Sequence, residues 1–240
     1  MLDEQIHLYV GFIEGNDPRA LLACFGTLSV EEKRRAERFV FERDRIEFLV
    51  AHGLMRAALS RAMPAVDPSS WLINPDKDGR PYVAGPIEVG CLHFSLSHTK
   101  GCVACAVSPN EAIGIDVEEC SPRDGLMEIA ERNFSADEIA TLRALEPQEQ
   151  SKRFFEYWTI KEAYIKARGK GLRIPLNSFS ILGLTEKDIR IAFAAGLNED
   201  CSARWNFTQF VPSRKHQLAM ADGSGISGGI PIVLEPWPWG

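Results

Sequence analysis

Apolar residues recur at helical spacing through residues 31–62, where Phe39, Ile46, Leu49, Val50, Leu54, Ala57 and Ala58 form one stripe. The spacing predicts a single long helix, capped by Ser29 ahead of Glu31 and Glu32 and stopped by Pro64. Short apolar runs follow. Trp71-Leu72-Ile73 and Pro81-Tyr82-Val83 flank the turn-forming run Asn74-Pro75-Asp76-Lys77-Asp78-Gly79. Residues 93–97 and 102–107 predict a hairpin turning at 98–101, and residues 113–117 predict another strand. The second half repeats the order. Ser135 with Glu138 predicts the cap of a helix to about Leu145, and a second helix spans 149–167 and stops near Gly169. A strand at 179–181 and a hairpin of 204–211 with 216–221 complete it. Helix, short strand and hairpin thus occur twice. The expectation is an α+β fold of two similar lobes, residues 1–110 and 111–240, divided near Pro109-Asn110. The tail Pro236-Trp237-Pro238-Trp239-Gly240 suits neither helix nor strand, and its tryptophans are expected to pack back on the surface.

Composition narrows the function classes. The net charge is −6, with 45% hydrophobic and 25% charged residues, which fits a globular protein with no bulk attraction to nucleic acid or anionic membrane. Lys33, Arg34, Arg35, Arg38, Arg43 and Arg45 make the first helix look basic, but Glu31, Glu32, Glu37, Glu42, Asp44 and Glu47 cancel them. No apolar run reaches the ~20 residues of a membrane span. The start Met1-Leu2-Asp3-Glu4-Gln5 lacks the basic-then-apolar order of a signal peptide. A cytoplasmic location is expected. The cysteines, Cys24, Cys91, Cys102, Cys105, Cys120 and Cys201, are scattered. Cys102 and Cys105 lie three apart on an apolar strand and so face opposite sides, which predicts core thiols rather than a metal or redox pair.

Two segments carry the chemistry. In Gly114-Ile115-Asp116-Val117-Glu118 the carboxylates are two apart on a strand and share one face. Ionised together they repel, and a hard cation between oxygen ligands removes the repulsion, which favours Mg²⁺, Mn²⁺ or Ca²⁺ over zinc. The plain alternative is a solvated strand end. In Trp158-Thr159-Ile160-Lys161-Glu162-Ala163-Tyr164-Ile165-Lys166, Trp158, Glu162 and Lys166 share a helix face, with Lys161 beside it. An ordinary Glu–Lys helix pair is the alternative. Together with the strand, however, Glu162 can complete a metal site begun by Asp116 and Glu118, and Lys161 and Lys166 can neutralise phosphates. Ser97-His98, read at a hairpin turn and without a G-x-S-x-G elbow, suits phosphate binding better than acyl transfer. Gly169-Lys170-Gly171 reads as a basic C-cap and lacks the Walker A spacing.

These residues resemble a known family. Gly114–Glu118 matches G-[IV]-D-x-E, and Trp158 to Lys166 matches W-x-x-K-E-A-x-x-K. Gly79-Arg80-Pro81 matches G-[KR]-P, and Phe94-Ser95-Leu96-Ser97-His98 matches F-[NS]-[IL]-S-H. The chain is similar to the monomeric, Sfp-like 4′-phosphopantetheinyl transferases, in order from about Ser29 to Ile181. The resemblance implies two lobes related by a pseudo-twofold axis, with coenzyme A in the cleft between them. It implies Mg²⁺ held by Asp116, Glu118 and Glu162, and Lys166 on phosphate oxygens. His98, Arg80 and Arg35 would surround the adenosine 3′-phosphate, and Phe48 departs from relatives that place a hydroxyl there. The implied reaction moves phosphopantetheine from coenzyme A to a serine of an acyl- or peptidyl-carrier protein and releases adenosine 3′,5′-bisphosphate. Glu162 or a metal-bound water would be the base. The rivals are a metal-dependent phosphoesterase acting on a nucleotide and a carrier-binding module without activity.

Overall fold

The computed structural model describes residues 4–13, 18–86, 90, 92–121, 124–184, 188–193 and 200–239, with Leu172 by its backbone only. Met1, Leu2, Asp3, Cys91 and Gly240, all read above, lie outside the described residues.

A four-stranded sheet is ordered β11 (Ile232–Glu235), β1 (Ile6–Phe12), β5 (Cys102–Ser108), β4 (His93–Thr99). A three-stranded sheet is ordered β6 (Ile113–Glu119), β10 (His216–Asp222), β9 (Asn206–Ser213). Strand alternation stacks them. Ile6, Leu8, Cys102, Ala104 and Ala106 of the first sheet form one buried cluster with Ile113, Ile115, Val117, Leu218 and Met220 of the second. The outer face of the first sheet carries Tyr9, Phe94, Val103, Cys105 and Val107 against helix α3 (Glu42–Ala62). The outer face of the second carries Ala219 and Ala221 against helix α6 (Pro147–Arg168). The molecule is thus a mixed α and β stack: helix, sheet, sheet, helix. Cys102 and Cys105 fall in different clusters on opposite faces of β5, as their spacing predicts, and both are free thiols.

The helix expected over 31–62 is two helices, α2 (Val30–Ala36) and α3. Ser29 does cap the first. Its hydroxyl accepts from the Glu32 amide at 3.2 Å and Glu32 accepts from the Ser29 amide at 3.0 Å. The break follows from Phe39-Val40-Phe41, residues of weak helix preference. Phe39 packs its ring 5.3 Å from that of Phe48, and Phe41 takes an extended conformation (φ −100°) as the cap of α3. Helix α1 (Pro18–Thr27), not expected from the sequence, lies near α3, where Cys24 backs onto Gly53.

β2 (Leu72–Pro75) and β3 (Pro81–Gly85) form the expected small hairpin. In the second half, α4 (Leu126–Asn133) precedes α5 (Ala136–Ala144), which has the Ser135–Glu138 capping box read from the sequence. Helix α6 starts on Pro147 and ends where Gly169 turns left-handed (φ 63°). β7 (Phe179–Leu182) pairs with β8 (Arg190–Phe193), and β9 with β10. Trp237 packs back as expected, its ring directly over Gly11. Among the described residues, no helix is long and apolar enough to cross a membrane.

Candidate active site

The second half of the chain brings its functional groups together through a close backbone approach. A Cβ on Gly114 would lie 2.0 Å from the Ala163 carbonyl oxygen and 2.4 Å from the Ala167 nitrogen, so only glycine lets β6 touch α6 there. Asp116, two residues on along β6, therefore sits under the helix face that carries Glu162 and Lys166.

Asp116 is buried, with 5% of its surface exposed. Its Oδ1 accepts from Lys166 Nζ at 2.7 Å and from Ser97 Oγ at 3.0 Å. Its Oδ2 is buried with no hydrogen-bond partner. Burial raises the Asp116 pKa, and Lys166 opposes the rise. Glu162 is pushed up by burial and then by the negative Asp116, again against Lys166. Glu118 accepts from Thr99 Oγ1 at 3.4 Å. The site thus gathers carboxylates whose mutual repulsion a single ammonium only partly offsets.

Among the described residues, no group of three or more His, Cys, Asp or Glu side chains is already arranged as a metal cage. The donor set nevertheless suits a hard cation. All the candidate ligands are carboxylate oxygens, and the buried Asp116 Oδ2 lacks a partner.

Ser97 and His98 lie within β4, and the turn comes later, at Lys100-Gly101, so the expected turn position is corrected. The alternation of the strand separates them. Ser97 is buried: it donates to Asp116 and accepts from Lys166 Nζ at 2.9 Å and the Val117 amide at 3.2 Å. With these bonds its hydroxyl is saturated, which makes it a poor direct phosphate contact. His98 is exposed and lies within the electrostatic reach of Glu47 and His52 of α3. The surrounding protein lowers its pKa by desolvation, Glu47 raises it, and Lys166 and His52 lower it further.

Arg80 is a clasp between the two halves. Its guanidinium donates to the carbonyls of Ala167 (3.3 Å), Glu111 (2.6 Å) and Ile113 (3.2 Å), and its stem lies over Gly169. Desolvation lowers its pKa. Arg35 is exposed on α2, with its guanidinium 5.1 Å from the centre of the Phe48 ring, which also stacks on His52 at 4.1 Å.

Lys161 overturns an expectation. It is 0% exposed and points into the core around α6, where it donates to the carbonyls of Leu176 (2.8 Å) and Phe179 (2.6 Å) and pairs with Glu138 at 2.8 Å. One residue is a 100° turn of the helix, enough to carry Lys161 away from the face of Glu162 and Lys166. Burial pulls its pKa down to about 8, and Glu138 opposes the fall. It cannot neutralise a substrate phosphate from there.

A cavity of about 280 Å³ opens beside these groups, lined from both halves by Asp78, Arg80, Leu96, Glu162, Lys166 and Gly169. A larger one of about 630 Å³ lies over the first half of the chain and includes Arg35, His52 and Pro81. Sequence reasoning missed Ser95 and Thr99, whose hydroxyls also reach β6. The available signal was the alternation of hydroxyls in Ser95-Leu96-Ser97-His98-Thr99.

Residues 17–110 match the family described as 4′-phosphopantetheinyl transferase, N-terminal, and residues 112–221 match the 4′-phosphopantetheinyl transferase superfamily. A 4′-phosphopantetheinyl transferase of Bacillus subtilis is 33% identical over 190 residues, covering 79% of this chain and 80% of that protein. The 4′-phosphopantetheinyl transferase HetI of Nostoc sp. is 31% identical over 222 residues, 92% of this chain and 89% of that one. The 4′-phosphopantetheinyl transferase Sfp of Bacillus subtilis is 34% identical over 154 residues, 64% and 66% of the two chains. Both halves match, the relatives align over most of the chain, and the acidic strand faces a Glu–Lys helix: this chain belongs to the 4′-phosphopantetheinyl transferase family.

Proposed function

We propose that the enzyme transfers 4′-phosphopantetheine from coenzyme A to the serine of an acyl- or peptidyl-carrier protein in a cleft between two pseudo-twofold-related lobes, residues 1–110 and 111–240, except that strand β11 returns to the first sheet. The observation that carries the assignment of the site is the buried Asp116, with one oxygen on Lys166 and Ser97 and the other unpaired, beside a Glu162 of raised pKa.

Asp116, Glu118 and Glu162 are the proposed ligands of a divalent cation, Mg²⁺ or Mn²⁺. When bound, such a cation would offset charge on the pyrophosphate. Lys166, one-third exposed, turns its ammonium to the phosphate oxygens. Glu162 takes the proton of the carrier serine as that oxygen bonds to the phosphorus bearing the pantetheine arm. The bond from that phosphorus to the bridging oxygen breaks, and adenosine 3′,5′-bisphosphate leaves with the electron pair. His98 and Arg35 are placed at the 3′-phosphate. Arg80 adds its positive field while its donors hold the two lobes together.

The acceptor hydroxyl comes from the partner, so the chain needs no nucleophile of its own. Lys152 and Arg153, at the start of α6, are candidates for docking the carrier, and both also pair with Glu156. The reading includes a monomer working in the cytoplasm, which the free buried thiols of Cys24, Cys102 and Cys105 suit.

Incubation with coenzyme A, Mg²⁺ and an apo carrier protein tests the proposal. The expected product is a carrier heavier by one phosphopantetheinyl group, with no product from a Ser→Ala carrier or in EDTA. Hydrolysis of coenzyme A at the same rate without a carrier would favour the phosphoesterase, and complex formation without product would favour the inactive binding module.

A further inference from the structure

Within the stacked sheets, strands β4 and β6 lie against each other, and three β4 side chains act as rungs between them. The Ile115 amide donates to Ser95 Oγ at 3.0 Å, the Val117 amide to Ser97 Oγ at 3.2 Å, and the Glu119 amide to Thr99 Oγ1 at 3.2 Å. The numbers rise together by two on both strands, so β4 and β6 run parallel in fixed register. Two of the three hydroxyls do a second job. Ser97 donates to Asp116 at 3.0 Å and Thr99 to Glu118 at 3.4 Å. Each such rung therefore holds a β6 amide and, through the same oxygen, orients the carboxylate of the residue before it.

We propose that Thr99 and Ser97 are positioning residues: their hydroxyls lock the register between the lobes and aim the Glu118 and Asp116 carboxylates at the cation and phosphates. The proposal rests on the transferase reading of this site. Slipping β6 by one residue would place Ile115 and Val117 where the acids stand, because strand side chains alternate. Main-chain pairing alone would not couple register to carboxylate orientation, whereas a hydroxyl serving both groups does. Ser97 also bonds Lys166, so its loss would disturb the ammonium as well. Thr99 has no such bond, and it gives the cleaner test.

Thr99→Val removes the hydroxyl at nearly constant shape, and Thr99→Ser keeps it. The measurements are Mn²⁺ affinity by electron paramagnetic resonance, kcat and KM for coenzyme A in carrier modification, and melting temperature. Loss of a hydrogen bond to a metal ligand typically costs 10–100-fold. We expect Thr99→Val to weaken Mn²⁺ binding and lower kcat by about tenfold, with KM for coenzyme A nearly unchanged. Thr99→Ser should restore both. If the valine variant does not fold, Thr99→Ala makes the same comparison. The proposal is overturned if the valine and serine variants both match the wild type. It is equally overturned if they lose Mn²⁺ affinity to the same extent, since keeping the hydroxyl would then give no advantage, or if the wild type binds no Mn²⁺. A wild type that binds Mn²⁺ but modifies no carrier would sink the transferase reading, and the affinity comparison would still decide the role of Thr99.

Discussion

The Lys166 ammonium lies 2.7 Å from Asp116 Oδ1, tying helix α6 to a carboxylate buried on strand β6. Lys166 lowers the pKa of Asp116 and of Glu162, while burial raises both. Replacing it with methionine removes the lowering influence, so both carboxyls should stay protonated to higher pH. The acid limb of the pH–rate profile for Lys166→Met should therefore move upward. Residual activity should fall by about 10²–10³. Measurement of kcat/KM across pH checks both, and a limb that moves downward contradicts the electrostatic assignment.

Lys161 and Lys166 should fail in different ways. Lys161→Met leaves the buried Glu138 without its ammonium partner, a loss of about 3–5 kcal/mol. For a chain of this size that lowers the melting temperature by about 10 °C. Lys166→Met should lose less, because Asp116 keeps its bond from Ser97 and, its pKa already raised by burial, can take up a proton. Calorimetry on the pair separates a core lysine from a cleft lysine.

Arg80 and His98 also divide. Arg80→Ala gives up bonds to three main-chain carbonyls in the second half of the chain, and we expect a loss of stability of about 1.5–3 kcal/mol. Arg80→Lys should not restore it, since a lysine lacks the planar fork. His98→Ala should leave stability unchanged and narrow the preference for coenzyme A over dephospho-coenzyme A. Equal effects of His98→Ala on both ligands would move His98 away from the 3′-phosphate.

Gly114→Ala should damage the site without altering any ligand. The added methyl meets the Ala163 carbonyl and the Ala167 nitrogen, so α6 must lift off β6. Overpacking of this kind costs about 1–3 kcal/mol. Turnover should fall further than stability, because Glu162 and Lys166 ride on the displaced helix. A variant with wild-type turnover would show that the contact does not set the geometry.

Short-range patterns were readable in the chain. Strand alternation placed Asp116 and Glu118 together, and the i, i+4 spacing placed Glu162 with Lys166. The same helical arithmetic, applied to Lys161, would have turned it toward the core. Its role was obscured because its partners, Glu138 and the carbonyls of Leu176 and Phe179, lie outside the motif. The break between α2 and α3 was hidden because Phe39 fits the helical stripe while actually folding onto Phe48. Strand β1 went unread because its pairing with β5 and β11 joins residues about a hundred or more positions apart. Ser97 was visible as a polar residue near the site, but only the packed structure uses all its bonds.

The pairing of β11 with β1 also imposes an order on biosynthesis. Ile6 is registered with Ile232, and His7 lies 2.6 Å from Glu235, so the first sheet borrows its outer strand from a segment more than two hundred residues downstream. While the ribosome is still making the second half of the chain, β1 has no neighbour on that side. An open edge is a template for pairing with other chains. A nascent or truncated chain lacking 232–235 therefore carries a sticky strand that the finished protein conceals.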